Sequence, residues 1–570
     1  MSTYTDYGKV DEAEQARLDA RRRSRRRITI ISVSSIILVV VVVAAVLGTT
    51  SRNSGSKQGG NENQPLGSTL RAICSVTLYP DACYSSLAPN LGNTTQIEPE
   101  EVFKLANKVA IAELTEVAQR LSDPGILNRT ADNMTAMALE NCRELVSLSL
   151  DHLNDTLTAG SQSFSQAIDD LKTWQSSAGT FLQTCLDGFE NANGTIKNTM
   201  DNHLKNSTEL TSNSLAITSW IWDVFGSVKL RRLMSSPEEH QEPEWLHPND
   251  RELLQSPDLR RKANIVVAKD GSSKYKTIKA ALNAVPDKSK KRIVIYVKKG
   301  VYYENVQVTN NKWNVVMVGD GMTRTVVSGS LNFVDGTPTF ATATFAVFGK
   351  GFMAVDMGFR NSAGPQKHQA VALMSNSDQS VFYRCIIDAF QDTLYAHVNR
   401  QFYRECNIYG TVDFIFGNSA VVLQLCNIFA KFPLPGQQNT ITAQGKFDPN
   451  QNTGITINDC TILPLGNLRS VQTFLGRPWK LYSTTLFIGN NLGGLIDPKG
   501  WLPWVGTTAP STIFYSEYLN YGPGSSKRYR VKWKGLRTIN AQIANKFLVS
   551  SFLQGSKWIP AAGVPYEGSL

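Results

Sequence analysis

Four residues in the second half of this 570-residue chain have types and spacing suited to acid–base and nucleophilic chemistry. Gln369 and Gln391 lie 22 positions apart, and Asp392 and Asp413 lie 21 apart. If the chain coils on that beat, the two amides sit side by side, and so do the two carboxylates. Close carboxylates push their proton affinities apart, leaving one ionised and the other protonated near neutral pH. The ionised one can attack as a nucleophile while the protonated one donates. Neighbouring side-chain amides can stabilise an oxyanion. Rival chemistries have less support. Only His368 and His397 lie beyond residue 262, and there is no Gly-x-Ser-x-Gly elbow, which argues against a Ser-His-Asp hydrolase and against histidine metal sites. The eight cysteines contain no Cys-x-x-Cys pair, which argues against zinc and a thioredoxin-like redox site.

The beat recurs around these residues. Cys385, Cys406 and Cys426 follow at intervals of 21 and 20, and Phe382-Tyr-Arg-Cys385 is echoed by Phe402-Tyr-Arg-Glu-Cys406. A period near twenty marks a solenoid of stacked units. Short β-branched runs at 265–267, 292–297, 314–318, 342–347, 380–383 and 421–425 predict a parallel β-helix from Ala263 to Leu570. Residues 275–285 read as a capping helix. Cys385 and Cys460 read as buried thiols.

The first half differs. Arg21 to Arg27 holds six arginines, and Ile28 to Leu47 is twenty residues without charge. That predicts a cytosolic tail (1–27) and a signal anchor spanning a membrane (28–47), in preference to a cleaved signal peptide, whose apolar region is normally about 7–15 residues. A linker follows (48–69). Apolar residues at three- and four-residue spacing through 100–121, 134–153, 164–191 and 208–222 predict a helical bundle over 70–222. In an oxidising compartment its cysteines most simply pair as Cys74–Cys83 and Cys142–Cys185. Six glycosylation sequons, at Asn93, Asn128, Asn133, Asn154, Asn193 and Asn206, are confined to this half. A linker at 223–262 carries the dibasic Arg231-Arg232-Leu233-Met234, a candidate processing site; Arg251–Leu254 is a weaker one.

Charge divides the same way. Residues 263–570 hold 32 Lys+Arg against 16 Asp+Glu, and residues 1–262 hold 26 against 32. A basic half suggests a polyanionic partner, nucleic acid or acidic polysaccharide.

Five motifs in order then carry a resemblance: Gly300-Val-Tyr-Tyr-Glu304, Gln369-Ala-Val-Ala-Leu373, Gln391-Asp-Thr-Leu-Tyr395, Asp413-Phe-Ile-Phe-Gly417 and Leu475-Gly-Arg-Pro-Trp479. From about residue 70 the chain resembles a plant pectin methylesterase preceded by an inhibitor-like pro-region. The resemblance implies a four-helix-bundle pro-region and a right-handed parallel β-helix. It implies that Asp413 is the nucleophile, Asp392 the proton donor and base, Gln369 and Gln391 the stabilisers of the charged intermediate, and Arg477 the partner of Asp413. Thr339, Gln369, Tyr395, Phe416, Arg477, Trp479 and Trp501 would meet the sugar chain, and Cys406 would pair with Cys426. It also implies no cofactor, no metal and no nucleic acid. The partners would be methylesterified homogalacturonan, a subtilisin-like processing protease and proteinaceous inhibitors, with a precursor in the secretory-pathway membrane and a mature enzyme in the cell wall. Two departures stand out: Met374 where Arg commonly follows, and Ser273 where Gly is common. A pectate lyase, which would need calcium, and a wall-binding or inhibitory protein acting through the helical part are the alternatives.

Overall fold

Short parallel strands of two to six residues return again and again to the same three faces. They form sheets of ten, seven and eight strands, each strand paired with its equivalent one coil away. The computed structural model describes residues 64–91, 98–123, 132–190, 192, 194–233 and 259–570. The seven-stranded sheet contains, in spatial order, β1 (Val306–Val308), β2 (Phe345–Val347), β3 (Leu373–Ser375), β4 (Leu394–Ala396), β5 (Ile415–Gly417), β6 (Asn439–Gln444) and β7 (Thr473–Gly476). Register fixes its two sides. Phe345, Leu373, Leu394 and Ile415 align and point into the core, while Ala346, Met374, Tyr395 and Phe416 align one residue on. This is the alternation a pleated strand imposes. Inside, aromatic rings stack coil on coil, as with Phe382 and Tyr403 at 4.8 Å.

The coils turn corners at left-handed residues. Arg384, Glu405, Leu425 and Asp459 occupy one such column, with φ between 50° and 53°. Directly after them Cys385, Cys406, Cys426 and Cys460 form a column of buried free thiols. The Cys406–Cys426 disulfide is therefore not formed. Each sulfur is turned to backbone carbonyls, Cys406 Sγ donating to Phe382 O (3.3 Å) and Cys426 Sγ to Tyr403 O (3.6 Å). Burial holds the Cys406 thiol well above its ordinary range. At the amino-terminal end a helix (Ile278–Asn283) covers the first coil, shorter than the predicted 275–285. Its free N–H groups at Ile278 and Lys279 donate to the Glu304 carboxylate (2.9 and 3.0 Å), so the Gly300–Glu304 motif serves the cap.

The helical part contains α1 (Gln64–Cys74), α2 (Pro80–Leu87), α3 (Pro99–Leu121), α4 (Asn133–Asp187) and α5 (Gly194–Leu233). α3 begins with Pro99 and two glutamates, both suited to a helix start. At the start of α4, Asp132 accepts from Thr135 N at 2.8 Å. Ser163 adopts extended backbone (φ −157°, ψ 89°) and divides α4 into two arms. The Cys142–Cys185 disulfide joins those arms, and Cys74–Cys83 is also formed, as expected. Together with α3 and α5 the arms make the bundle. A Cβ at Gly160 would lie 2.4 Å from the Phe103 ring, so the close packing there needs glycine. α5 continues past the expected boundary at 222, so Arg231, Arg232 and Leu233 belong to its last turn rather than to a linker. Met234, Arg251–Leu254, Asn93, Asn128, Asn193 and the predicted anchor at 28–47 lie outside the described residues. Asn133, Asn154 and Asn206 are exposed on helices. Among the described residues no helix is long and apolar enough to cross a membrane. Residues 65–570 form one compact unit that takes in both parts.

Candidate active site

Asp392 and Asp413 stand at equivalent corners of adjacent coils, just before β4 and β5, both with left-handed backbone (φ 61° and 52°). Leu394 pairs with Ile415, which sets the carboxylates side by side. One coil earlier, Gln369 pairs with Gln391. The twenty-residue beat thus becomes proximity. Gly417 closes the Asp413 motif at φ 125°, where a Cβ would meet Ala396 O at 2.1 Å, a conformation and approach that exclude other residues.

The carboxylates have different surroundings. Asp413 is held by Arg477, whose Nε donates to Oδ1 at 2.8 Å and whose Nη2 donates to Oδ2 at 2.5 Å. Thr440 Oγ1 donates to Oδ1 at 2.6 Å, and Asp413 N donates to Thr440 Oγ1 at 2.8 Å. These are the contacts an ionised carboxylate attracts. Asp392, 7% exposed, has no such donors among the described residues. Burial first, then the charge of Asp413, holds its carboxyl well above the usual range, with Arg477 opposing. Such an arrangement can leave one acid able to donate a proton and the other able to attack. Gln391 Oε1 is buried without a hydrogen-bond partner among the described residues, so its amide is not committed to the framework.

A cavity of about 300 Å³ opens over these groups, lined by Gln369, Gln391, Asp392, Asp413 and Arg477 together with Thr339, Phe340, Tyr395, Phe416, Trp479 and Trp504. Tyr395 and Phe416 stack at 4.1 Å, a consequence of their matched register. Met374 lies buried in the same row, between Ala346 and Tyr395. Trp501 does not join the cavity. It is 1% exposed, donates from Nε1 to Glu517 (3.3 Å) and packs on Tyr515 inside the β-helix. Trp504, 37% exposed, takes the outward place, its ring 4.3 Å from Arg477 Cζ. Sequence reasoning also missed Thr440. Its strand comes 27 residues after Asp413, because the intervening coil carries an insertion that breaks the beat.

The opposite wall of the cavity belongs to the helical part, including Thr135, Leu145, Thr184 and Asp187. The second arm of α4 lies against the sheet along a row of contacts. Trp174 donates to Asp378 (3.1 Å), Ser177 to Asn399 (2.8 Å), Thr184 bonds His397 (2.7 Å) and Lys480 donates to Asp187 (2.7 Å).

Known proteins match both parts of the chain. Residues 264–556 match the family described as Pectinesterase, and residues 68–217 the family described as Plant invertase/pectin methylesterase inhibitor. The chain is 54% identical to "Probable pectinesterase/pectinesterase inhibitor 46" of Arabidopsis thaliana, over 99% of this chain and 100% of that one. It is 47% identical to "Pectinesterase 3" of Phaseolus vulgaris over 100% of both. The solved pectin methylesterase from carrot superposes with a TM-score of 0.53 and 49% identity, covering 54% of this chain and 98% of its own. The chain belongs to the pectinesterase family, as an esterase whose parallel β-helix follows an inhibitor-type helical domain.

Proposed function

We propose that the protein de-methylesterifies homogalacturonan pectin in the plant cell wall, releasing methanol, and that its helical domain restrains this activity until it is removed. The observation that carries the reading is the contrast between Asp413, bonded to Arg477 and Thr440, and Asp392, buried beside it with its carboxyl raised by burial and by Asp413. An Asp413 oxygen adds to the methyl-ester carbonyl carbon, and the negative oxygen that forms is held by the amides of Gln369 and Gln391. The C–O bond to methoxide breaks as Asp392 gives it a proton, and methanol leaves. Water then adds to the acyl-enzyme while Asp392 takes its proton back, which frees a galacturonate carboxylate and restores Asp413. The aromatic row of Tyr395, Phe416, Trp479 and Trp504 offers ring faces to the sugars.

Restraint would follow from the position of α4, which walls off the cavity over the carboxylates on the side opposite the β-helix. Release would require cleavage at the end of α5 or beyond it, by a processing protease acting at or after Arg231–Met234, with a membrane anchor at 28–47 holding the precursor in the secretory pathway.

The test is methanol release from highly methylesterified homogalacturonan by residues 259–570 and by the full chain. Release by the short form that Asp413→Asn abolishes supports the nucleophile. A full chain equally active with its helical domain attached would overturn the restraint.

A further inference from the structure

The amino-terminal end of the β-helix carries charge that the catalytic site does not use. Residues 259–299 hold 13 Lys+Arg against 2 Asp+Glu, an imbalance as large as the net charge of the whole chain, +10. The few carboxylates nearby are engaged. Asp287 pairs with Lys312 at 2.7 Å, and Asp270 accepts from Ser272 N (2.9 Å) and Ser272 Oγ (2.6 Å). Asp320 accepts from Lys299 N (2.6 Å) and Tyr296 Oη (2.7 Å), with Arg260 at 3.8 Å. Lys274, Lys276, Lys298 and Lys299 make no ion pair among the described residues.

Some of these cations border a cavity. About 740 Å³ in volume and open to solvent, it is lined by Arg260, Asn264, Lys274, Tyr275, Tyr296 and Lys298 together with Ser272 and Ser273. Its size lies within the roughly 300–1,000 Å³ of sites that hold small ligands. Its wall is tied down. Ser273 donates to the Val266 carbonyl and accepts from Tyr275 N (3.4 Å), which fastens the 270–275 turn to the first strand, Ile265–Val267. Serine here is one of the two departures from the resembled family, so this chain holds the turn with a hydroxyl that glycine lacks. Lys298 Nζ donates to Ser272 Oγ at 2.9 Å, and Lys274 Nζ lies 5.3 Å from the centre of the Tyr275 ring.

This cavity shares no lining residue with the catalytic one. Five strand steps along the ten-stranded sheet separate Ile265–Val267 from Arg400–Arg404, the strand of that sheet that follows the Asp392 corner. At about 4.8 Å a step, that is roughly 24 Å along the axis. A guanidinium and two ammoniums suit carboxylates, two tyrosine rings offer faces to a sugar, and the Asn264 amide suits its hydroxyls.

We propose that the cavity at Lys274 and Lys298 is a second polysaccharide site, which holds an acidic sugar chain, polygalacturonate, away from the catalytic centre. Lys274 and Lys298 take its carboxylates, and Tyr275 and Tyr296 take its rings. The identity of the sugar rests on the pectin methylesterase reading. The site anchors the protein to a polymer that it does not turn over, so anchorage and catalysis are separable.

The test is binding of a fully de-esterified oligogalacturonide to the full chain by titration calorimetry, with a poly-glutamate of equal charge as the comparison. Lys274→Gln with Lys298→Gln should weaken oligogalacturonide binding about tenfold and flatten its salt dependence. Lys532→Gln with Lys534→Gln removes two exposed charges beyond the last strand of the same sheet, and should change the affinity by less than about twofold. Melting curves, which exposed substitutions of this kind should leave in place, are the control for folding. Poly-glutamate should bind more weakly than the sugar. Equal losses in the two pairs would overturn the site in favour of diffuse charge. Poly-glutamate binding as tightly as the oligogalacturonide would overturn recognition of a saccharide. Nothing is turned over in these titrations, so they are separate from the esterase reading, which fails if residues 259–570 release no methanol.

Discussion

Arg477 grips Asp413 at two points, Nε on Oδ1 at 2.8 Å and Nη2 on Oδ2 at 2.5 Å, in a planar fork that a point charge cannot reproduce. Lysine at 477 would keep the charge and lose the fork. Arg477→Lys is expected to lower kcat by about 10- to 100-fold with a small change in KM, because orientation of the attacking oxygen is what is lost. Steady-state methanol release decides it. A loss confined to KM would make Arg477 a substrate-binding residue instead.

Asp392 has its carboxyl raised by burial and by Asp413, so the fold stabilises the protonated form. In the unfolded chain this group ionises above its ordinary value of 3.8. The contribution is thus fully present below that pH and is lost as pH rises toward the raised native value. Asp392→Asn removes the ionisation and should raise Tm at pH 7 while abolishing activity, and the gain should vanish near pH 3.5. A Tm difference that does not vary with pH would mean that ionisation of Asp392 is not the cause.

Two tryptophans three residues apart separate packing from binding. Trp501→Ala opens the interior beside Tyr515 and Phe487 and should cost about 3–5 kcal/mol of stability. Trp504→Ala removes an outward ring above Arg477 and should raise KM severalfold with Tm nearly unchanged. Denaturation curves and kinetics on the two variants would reverse this assignment if Trp504→Ala proved the less stable.

Two histidines lie between the helical domain and the β-helix. Burial lowers His397 to about 3, its nitrogens bonded to Thr184 and Asn376. Burial, then Lys350, lowers His152 to about 4, against Asp155 and Asp378. Both are depressed below 6.5, so docking is strongest above that pH and weakens as pH falls toward about 4. Each histidine that separation re-exposes contributes about 1.4 kcal/mol per pH unit in this window. A chain cleaved after α5 should therefore release its helical domain more readily at pH 5 than at pH 7, seen by size-exclusion chromatography. His152→Gln with His397→Gln should flatten the dependence; a slope that survives both would assign it to other groups.

The Cys142–Cys185 bridge joins the two arms of α4 beside the catalytic cavity and closes 43 residues. Loop-closure entropy assigns such a bridge about 4 kcal/mol. Cys142→Ser with Cys185→Ser should loosen the helical domain and raise the esterase activity of the full chain, leaving that of residues 259–570 untouched. Unchanged activity of the full chain would show that the bridge does not maintain the restraint.

Much of this was legible along the chain. Gln369, Gln391, Asp392 and Asp413 could be placed together because a solenoid converts a fixed interval into adjacency: one coil per beat, with parallel strands in register. The helices of the other domain followed from local apolar spacing, and its two disulfides from the count of cysteines there, one pair nine residues apart and the other 43.

What local pattern does not carry is which side of a corner faces inward and what covers the groove. Trp501 and Trp504 have the same chemistry, and only the path of the last coils turns one into the core and the other over Arg477. Cys406 and Cys426 lie one coil apart, yet both are free thiols whose sulfurs donate to backbone carbonyls. Thr440 reaches Asp413 across an insertion that hides it from the repeat. The second wall of the cavity, the ion pair of Lys350 with Asp155 and the bond of Asn310 to Asp151 arise between residues more than 150 positions apart. The sequence by itself determined the repeat and therefore the catalytic row; tertiary packing decided its electrostatics, because desolvation depends on everything that lies above a group and not on its neighbours in the chain.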